Sequence, residues 1–169
     1  LLTVGMGVSI NMQEAEKYYK KAIEKGCAQS MFNYSLVLEK GMGVPVNIKE
    51  SIKYLKMAIK EGLPNAMDSY ALMNLRGTGI PVNYENAVKY FKMAIDLGYS
   101  PSMRNYASVL ANGREVPVNQ DEASKYYKMA IDQGNVDAMC DLASMLFSQY
   151  VQSLNQIMIG IFFQMIIFK

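Results

Sequence analysis

Gly41-Met42-Gly43-Val44-Pro45-Val46-Asn47 is the stretch on which the reading turns, because the chain carries it more than once. Gly-Met-Gly-Val also stands at Gly5. It returns as Gly-Thr-Gly-Ile at Gly77 and as Gly-Arg-Glu-Val at Gly113, each time 36 residues on and without a gap. The next position in the series is Gln149, and there the pattern stops. A fixed period of this size marks a repeat architecture, in which each unit buries its apolar face only against its neighbours.

The residues around the glycines predict two helices per period. Asn11, Asn47, Asn83 and Asn119 align, and an asparagine side chain can accept from the free amides of a first helical turn. Glu14, Glu50 and Glu122 stand three residues on, in the capping-box position, with Asn86 the departure. Ile10, Val46, Val82 and Val118 precede the cap and suit a hydrophobic staple, while Pro45, Pro81 and Pro117 keep the preceding helix from running on. The first helix closes at Gly26, Gly62, Gly98 and Gly134, which fit left-handed C-terminal caps.

Each helix has one predicted buried face. Ala15, Tyr18, Tyr19 and Ala22 share a face in the first helix, and lysines such as Lys17, Lys21, Lys53, Lys56 and Lys60 share the opposite, solvated one. Glu16–Lys20, Glu85–Lys89 and Asp121–Lys125 are spaced to pair along that outer face. In the second helix Met31, Tyr34, Ser35 and Leu38 form the buried stripe. Ser35, Ala71, Ala107 and Ala143 are small and allow neighbouring helices to approach. Asn74 stands where other copies have Leu38, Leu110 and Leu146.

Composition narrows the chemistry. The 169 residues are 51% apolar and hold no histidine, which removes Ser-His-Asp triads, Cys-His pairs and histidine metal sites. Net charge is +2, from 17 basic and 15 acidic residues, so no basic face is indicated and no nucleic acid is expected as partner. Cys27 and Cys140 are far apart and form no CxxC motif. They are expected as buried thiols in a reducing, cytoplasmic compartment. The glycine loops lack dinucleotide-binding or P-loop spacing, and no cofactor or metal is implied. No signal peptide is apparent at the N-terminus. Residues 1–8 read as the end of a second-type helix, so the array is expected to be N-terminally incomplete, with a possible upstream domain.

The pattern A-x-x-Y-[YLF]-x-x-A-I-x-x-G-x-x-x-[AS]-M-x-x-[YL]-[AS], followed by the glycine loop and V-N, resembles the Sel-one-like repeat, a relative of the tetratricopeptide repeat. The likeness covers about Gly5 to Ser148. It implies a right-handed α-α superhelix of four helix-pair repeats over residues 1–148, and a non-catalytic adaptor that binds a protein or peptide. Some members of that family work in endoplasmic-reticulum quality control, so an association there is a second expectation for location. A cysteine-rich bacterial branch linked to penicillin binding carries a cysteine pair in each repeat, a pattern absent from this chain.

By resemblance to tetratricopeptide arrays, the second helix of each pair should line the concave side. Its free stripe predicts a partner surface of Phe32, Leu36, Asp68, Leu72, Arg104, Ser108, Cys140 and Ser144. The position of Phe32, Asp68, Arg104 and Cys140 varies most between copies, as a surface shaped to a partner would. Residues 149–169 form an apolar tail. Ile157 to Phe168 contains one glutamine and no charge, short of the roughly 20 residues of a spanning helix. The expectation is that the tail folds back as a cap on Tyr126, Met139 and Leu142. A membrane-associated module anchored through the tail, or an interaction module of a larger signalling chain, is the alternative.

Overall fold

The computed structural model describes residues 12–113 and 117–167. Gly5, Ile10, Asn11, the remainder of residues 1–8 and Glu115 lie outside them. The elements are α1 (Met12–Glu24), α2 (Ala28–Lys40), α3 (Ile48–Lys60), α4 (Pro64–Arg76), α5 (Tyr84–Asp96), α6 (Ser100–Asn112), α7 (Gln120–Asp132) and α8 (Val136–Ile167). Among the described residues the regular structure is entirely helical, and helix starts recur with the period read from the glycines. The expected all-α helix-pair repeat is therefore present.

The caps explain why each helix stops and restarts in place. Asn47 Oδ1 accepts from the Glu50 amide at 3.1 Å, Asn83 Oδ1 from the Asn86 amide at 2.9 Å and Asn119 Oδ1 from the Glu122 amide at 3.1 Å. The glutamates do not complete a capping box through the asparagine backbone amide, because that amide is already engaged. It donates back to the preceding helix, to the Leu38, Asn74 and Leu110 carbonyls, at 2.9, 2.9 and 3.0 Å. Glu50 and Glu122 instead accept from the asparagine side-chain amides, at 3.3 and 3.0 Å.

Val46, Val82 and Val118 are at least half exposed. Instead of stapling the helix start, they lean over the glycine that ends the previous helix. Gly41 has φ 67°, and a Cβ there would sit 2.7 Å from Val46 Cγ2. Gly79, at φ 70°, is held more tightly, since a Cβ would land on the Ile48 side chain. Both the left-handed backbone and the close approach demand glycine there.

The chain divides into two compact units, Leu1–Ala94 and Ile95–Lys169. In the first, Met31 of α2 packs with Ile52, Leu55 and Ala58 of α3 and with Ala66, Tyr70 and Met73 of α4. Tyr34, Val37 and Leu38 form a neighbouring cluster with Tyr19, Val44 and Tyr54. Tyr34 Oη donates to Glu16 at 2.9 Å, and Glu16 also pairs with Lys20 at 2.7 Å, which together hold the Glu16 carboxyl below its usual range. Among the described residues no ion pair joins Glu85 to Lys89 or Asp121 to Lys125. Lys89 lies over the Tyr90 ring instead. Asn74 is buried, and its amide nitrogen donates to the Tyr70 carbonyl at 2.8 Å.

In the second unit, α6 packs on α7 and α7 on α8. Tyr106 meets Tyr126 edge to face at 4.9 Å, as Tyr34 meets Tyr54 and Tyr70 meets Tyr90 in the first unit. The predicted faces are as read from α3 to α7, whereas in α1 Tyr18 is exposed and Ala15, Tyr19 and Ala22 are half-buried. Ser51, Leu55 and Ala58, then Ala87, Phe91 and Ala94, then Ala123, Tyr127 and Ala130 are all buried.

Three further expectations change. The tail does not fold back. α8 runs on through Gln149, where a glycine would have ended it, and is 32 residues long against 13 for each other helix. Met139 stays exposed, and so do the tail residues from Tyr150 on with assigned exposure, while Gln149 is half-buried. Ala143, unlike its counterparts Ser35, Ala71 and Ala107, is also exposed, because α8 runs straight on where the other copies turn into a covering helix. Cys27 and Cys140 are exposed as well. Cys27 occupies the N-cap of α2 and accepts from Ser30 Oγ, which lowers its thiol pKa.

The zero exposure of Ala58 leaves no room for growth. Ala58→Leu should cost about 1–3 kcal/mol from overpacking. Lys60→Leu, two residues on at an exposed position, should change stability by less than about 0.5 kcal/mol. Equal thermal midpoints for the two variants would contradict the face assignment.

Candidate functional site

Polar side chains collect where three helices of the second unit meet. α6 is entered through Pro101 in its first turn, and α8 is preceded by Asn135, whose Oδ1 accepts from the Ala138 amide at 3.1 Å. Those two starts place Arg104 of α6 beside the first turns of α8. Its Nε donates to Asp141 Oδ2 at 2.6 Å and its Nη1 to Asp137 Oδ2 at 3.1 Å. The bond to Asp141 raises the guanidinium pKa further, so Arg104 is a fixed cation.

Beyond this joint lies an open groove of about 450 Å³. Ser108, Ala111 and Asn112 of α6, Gln120 and Tyr127 of α7, and Asp141, Ser144, Met145, Ser148 and Gln152 of α8 line it. The Asn112 amide nitrogen donates to the Ser108 carbonyl at 2.8 Å, and Gln149 bridges α8 to Gln120 at 2.8 Å. Ser144 Oγ donates to the Cys140 carbonyl at 2.9 Å. Burial pushes the Tyr127 phenol pKa up, and the Asp141 carboxylate adds to the shift. The groove therefore offers neutral hydroxyls and amides beside one neutralised ion pair. Among the described residues, no three His, Cys, Asp or Glu side chains are placed to hold a metal ion.

The eight residues read as a partner surface do not share one environment. Arg104, Ser108 and Ser144 come together at the groove and its end, with Cys140 exposed on the same helix as Ser144. In the first unit, Leu36 and Leu72 are half-buried, and Phe32 packs against the Met31 cluster. Asp68 is buried at 7% exposure and is not free surface. Asp137, Asp141, Gln120, Tyr127 and Gln152 were missed by the sequence reading. The signal for the two aspartates was available. Both flank Cys140, which stands one period after Arg104, so a long side chain at Arg104 can reach either.

A family model described as the Sel1 repeat matches residues 2–27, 28–63, 64–99 and 100–135. Its unit runs from a second-type helix through the glycine loop to the next first-type helix, so α2–α3, α4–α5 and α6–α7 are its full copies. Among solved structures, the chain is similar to a Sel1 repeat protein from Oxalobacter formigenes, with 29% identity and a TM-score of 0.74, over 78% of this chain and 54% of that one. It is also similar to c5321, a protective antigen present in uropathogenic Escherichia coli strains and displaying an SLR fold. There the identity is 27% and the TM-score 0.72, over 78% of this chain and 28% of that one. Helicobacter pylori cysteine rich protein B, at 22% identity and a TM-score of 0.61 over 82% of this chain and 99% of that one, shares the fold. The chain thus spans about half the length of the first of these proteins and about a quarter of the second. A search of curated proteins found no match.

The Arg104 joint has a measurable consequence. Arg104 is 35% exposed and Asp141 33%, so solvent screens the pair. Arg104→Ala should lower stability by about 0.5–1 kcal/mol, and the gap should narrow in high salt. Thermal unfolding at low and high ionic strength checks this. Identical midpoints at low salt would show that the joint contributes nothing.

Proposed function

Since the chain belongs to the Sel1 repeat family, whose repeats are generally protein-interaction scaffolds, we propose that it is a non-catalytic scaffold that takes an extended peptide of a partner protein in the groove between α6, α7 and α8. The observation that carries the reading is the lining of that groove. Asn112, Gln120 and Gln152 bring amides, and Ser108, Ser144 and Ser148 bring hydroxyls. Each of these groups can both donate and accept, as a peptide backbone does. Met145 and Ala111 add apolar contact for side chains. The volume falls within the roughly 300–1,000 Å³ of ordinary ligand clefts.

Charge plays a positioning role in this reading. The Arg104 guanidinium is held by Asp141 and Asp137 at the end of the groove, so its charge is balanced and its remaining N–H donors are fixed in place. Arginine is prominent among interface hot spots, which makes Arg104 the expected energetic centre. Arg104 also stands at the repeat position that varies most between copies, with Phe32, Asp68 and Cys140 as its counterparts. Framework residues recur because packing requires them, and this position does not. A catalytic reading has less support, since the groove holds no histidine and its one carboxylate, Asp141, is already paired.

Peptides selected from a random display library against the whole chain test the proposal. They should bind Ser144→Trp at least tenfold more weakly, about 1.4 kcal/mol, because the indole fills the groove. Lys60→Ala, an exposed change in the other unit, should leave binding intact. Failure to select binders, or binders indifferent to Ser144→Trp, would overturn the reading.

A further inference from the structure

Four positions recur on the second-type helices, and on α8 three of them are uncovered. Met31 and Met103 are 4% and 2% exposed, whereas Met139 is 46% exposed. Leu38 and Leu110 are each 4% exposed, whereas Leu146 is 49% exposed. Ala143 is exposed where Ser35, Ala71 and Ala107 are buried. On α2 this face is covered by α3, through Ile52, Leu55 and Ala58 around Met31. α8 continues as helix to Ile167 instead of turning into a covering partner.

The uncovered face does not end with the repeat. Met139, Ala143, Leu146, Tyr150, Leu154, Ile157 and Ile161 follow one another at steps of 4, 3, 4, 4, 3 and 4 residues. They therefore lie on one line along the helix. All seven are exposed. The line is about 33 Å long, at about 1.5 Å of rise per residue. A contiguous apolar surface of this kind is normally covered.

We propose that the cover is α8 of a second copy of this chain, paired antiparallel across a two-fold axis at Tyr150. The interface extends one already present in the fold, where the same positions of α2 seat a helix. Length selects the occupant. A 13-residue helix such as α3 covers less than two thirds of the line, while α8 covers all of it. The sequence of steps reads the same in both directions from Tyr150, which is the symmetry an isologous antiparallel pair requires. In that register Ala143 faces Ile157 of the partner subunit, small against large, and Leu146 faces Leu154 of the partner subunit. No charged residue lies between Asp141 and Lys169, so no charge is buried in the pair. Two such lines approach the roughly 1,200 Å² at the lower end of specific interfaces.

A lipid surface fits less well. Helices that lie on membranes carry Lys and Arg on their polar face. This chain has none between Lys128 and Lys169, and among the described residues no helix is long and apolar enough to cross a membrane.

Light scattering over a broad concentration series, on the full chain, should show a dimer. Leu146→Glu with Leu154→Glu should weaken self-association about a hundredfold or more, because a carboxylate would be buried without a partner. Both sites are exposed, so helicity should be unchanged by circular dichroism. In a background with Cys27→Ser and Cys140→Ser, Tyr150→Cys should oxidise readily to a covalent dimer and Ala143→Cys should not. A monomer at every concentration, a dimer indifferent to the two glutamates, or equal cross-linking at both cysteine positions would overturn the proposal. So would a monomer that floats with phosphatidylcholine–phosphatidylserine vesicles.

Discussion

The architecture depends on one doubly used asparagine in each described loop that leads from a second-type helix to the next first-type helix. Its side chain caps the helix that follows, and its backbone amide bonds to a carbonyl near the end of the helix before, as Asn47 does to Leu38, Asn83 to Asn74 and Asn119 to Leu110. A single residue thus satisfies groups that two helix ends would otherwise leave without partners. It also fixes the distance and angle between the helices. The tyrosine pairs follow from that geometry, since Tyr34–Tyr54, Tyr70–Tyr90 and Tyr106–Tyr126 each join the two helices on either side of one such loop. The apolar contacts are less particular. Leu55, Phe91 and Tyr127 differ in shape yet fill the same position, all nearly fully buried.

That division of labour explains how much could be read from residues alone. Helix starts, stops and buried faces depend on local chemistry repeated in register, so Asn47, Gly62 and Met31 announce their roles. The end of the array was legible too. Gln149 replaces the glycine that would adopt a left-handed cap, and Ser153 stands where Pro45, Pro81 and Pro117 stand. With both breakers gone, nothing stops the helix, and α8 continues. What was not legible was exposure, which depends on what lies alongside. Ala143 and Leu146 occupy positions that are covered in other copies, and the continuation of α8 where those copies turn into a covering helix makes them surface.

The candidate site shows the same limit. Ser108 and Ser144 were found because the free stripe of the second helix was followed along the repeats, and both reach the groove. The same stripe in the first unit gives half-buried Leu36 and Leu72, because long apolar side chains there settle onto the core and not into solvent. Asp68 is drawn in further still. Gln120 and Tyr127 escaped notice because they stand on first-type helices, whose residues had been read as framework or outer face. A groove between three helices recruits from all of them, and periodicity within one helix type cannot reveal it.

α8 is where these threads meet, since its residues divide between two opposed faces. Asp141, Met145, Ser148 and Gln152 line the groove, spaced 4, 3 and 4 apart. Met139, Ala143, Leu146 and Tyr150 have the same spacing, displaced by two residues. At 3.6 residues per turn, a displacement of two turns the line by about 200°, to the far side of the helix. A peptide in the groove would therefore leave the apolar line uncovered, and a helix on the apolar line would leave the groove open. The two surfaces are also chemically distinct, one of amides and hydroxyls and the other without a charge. A pair of chains joined through α8 would present two grooves, and linking two sites raises the effective concentration of the second once the first is filled. A helix prolonged past its expected stop would thus place the proposed assembly and the proposed recognition on opposite sides of the same rod, where neither competes for the other's residues.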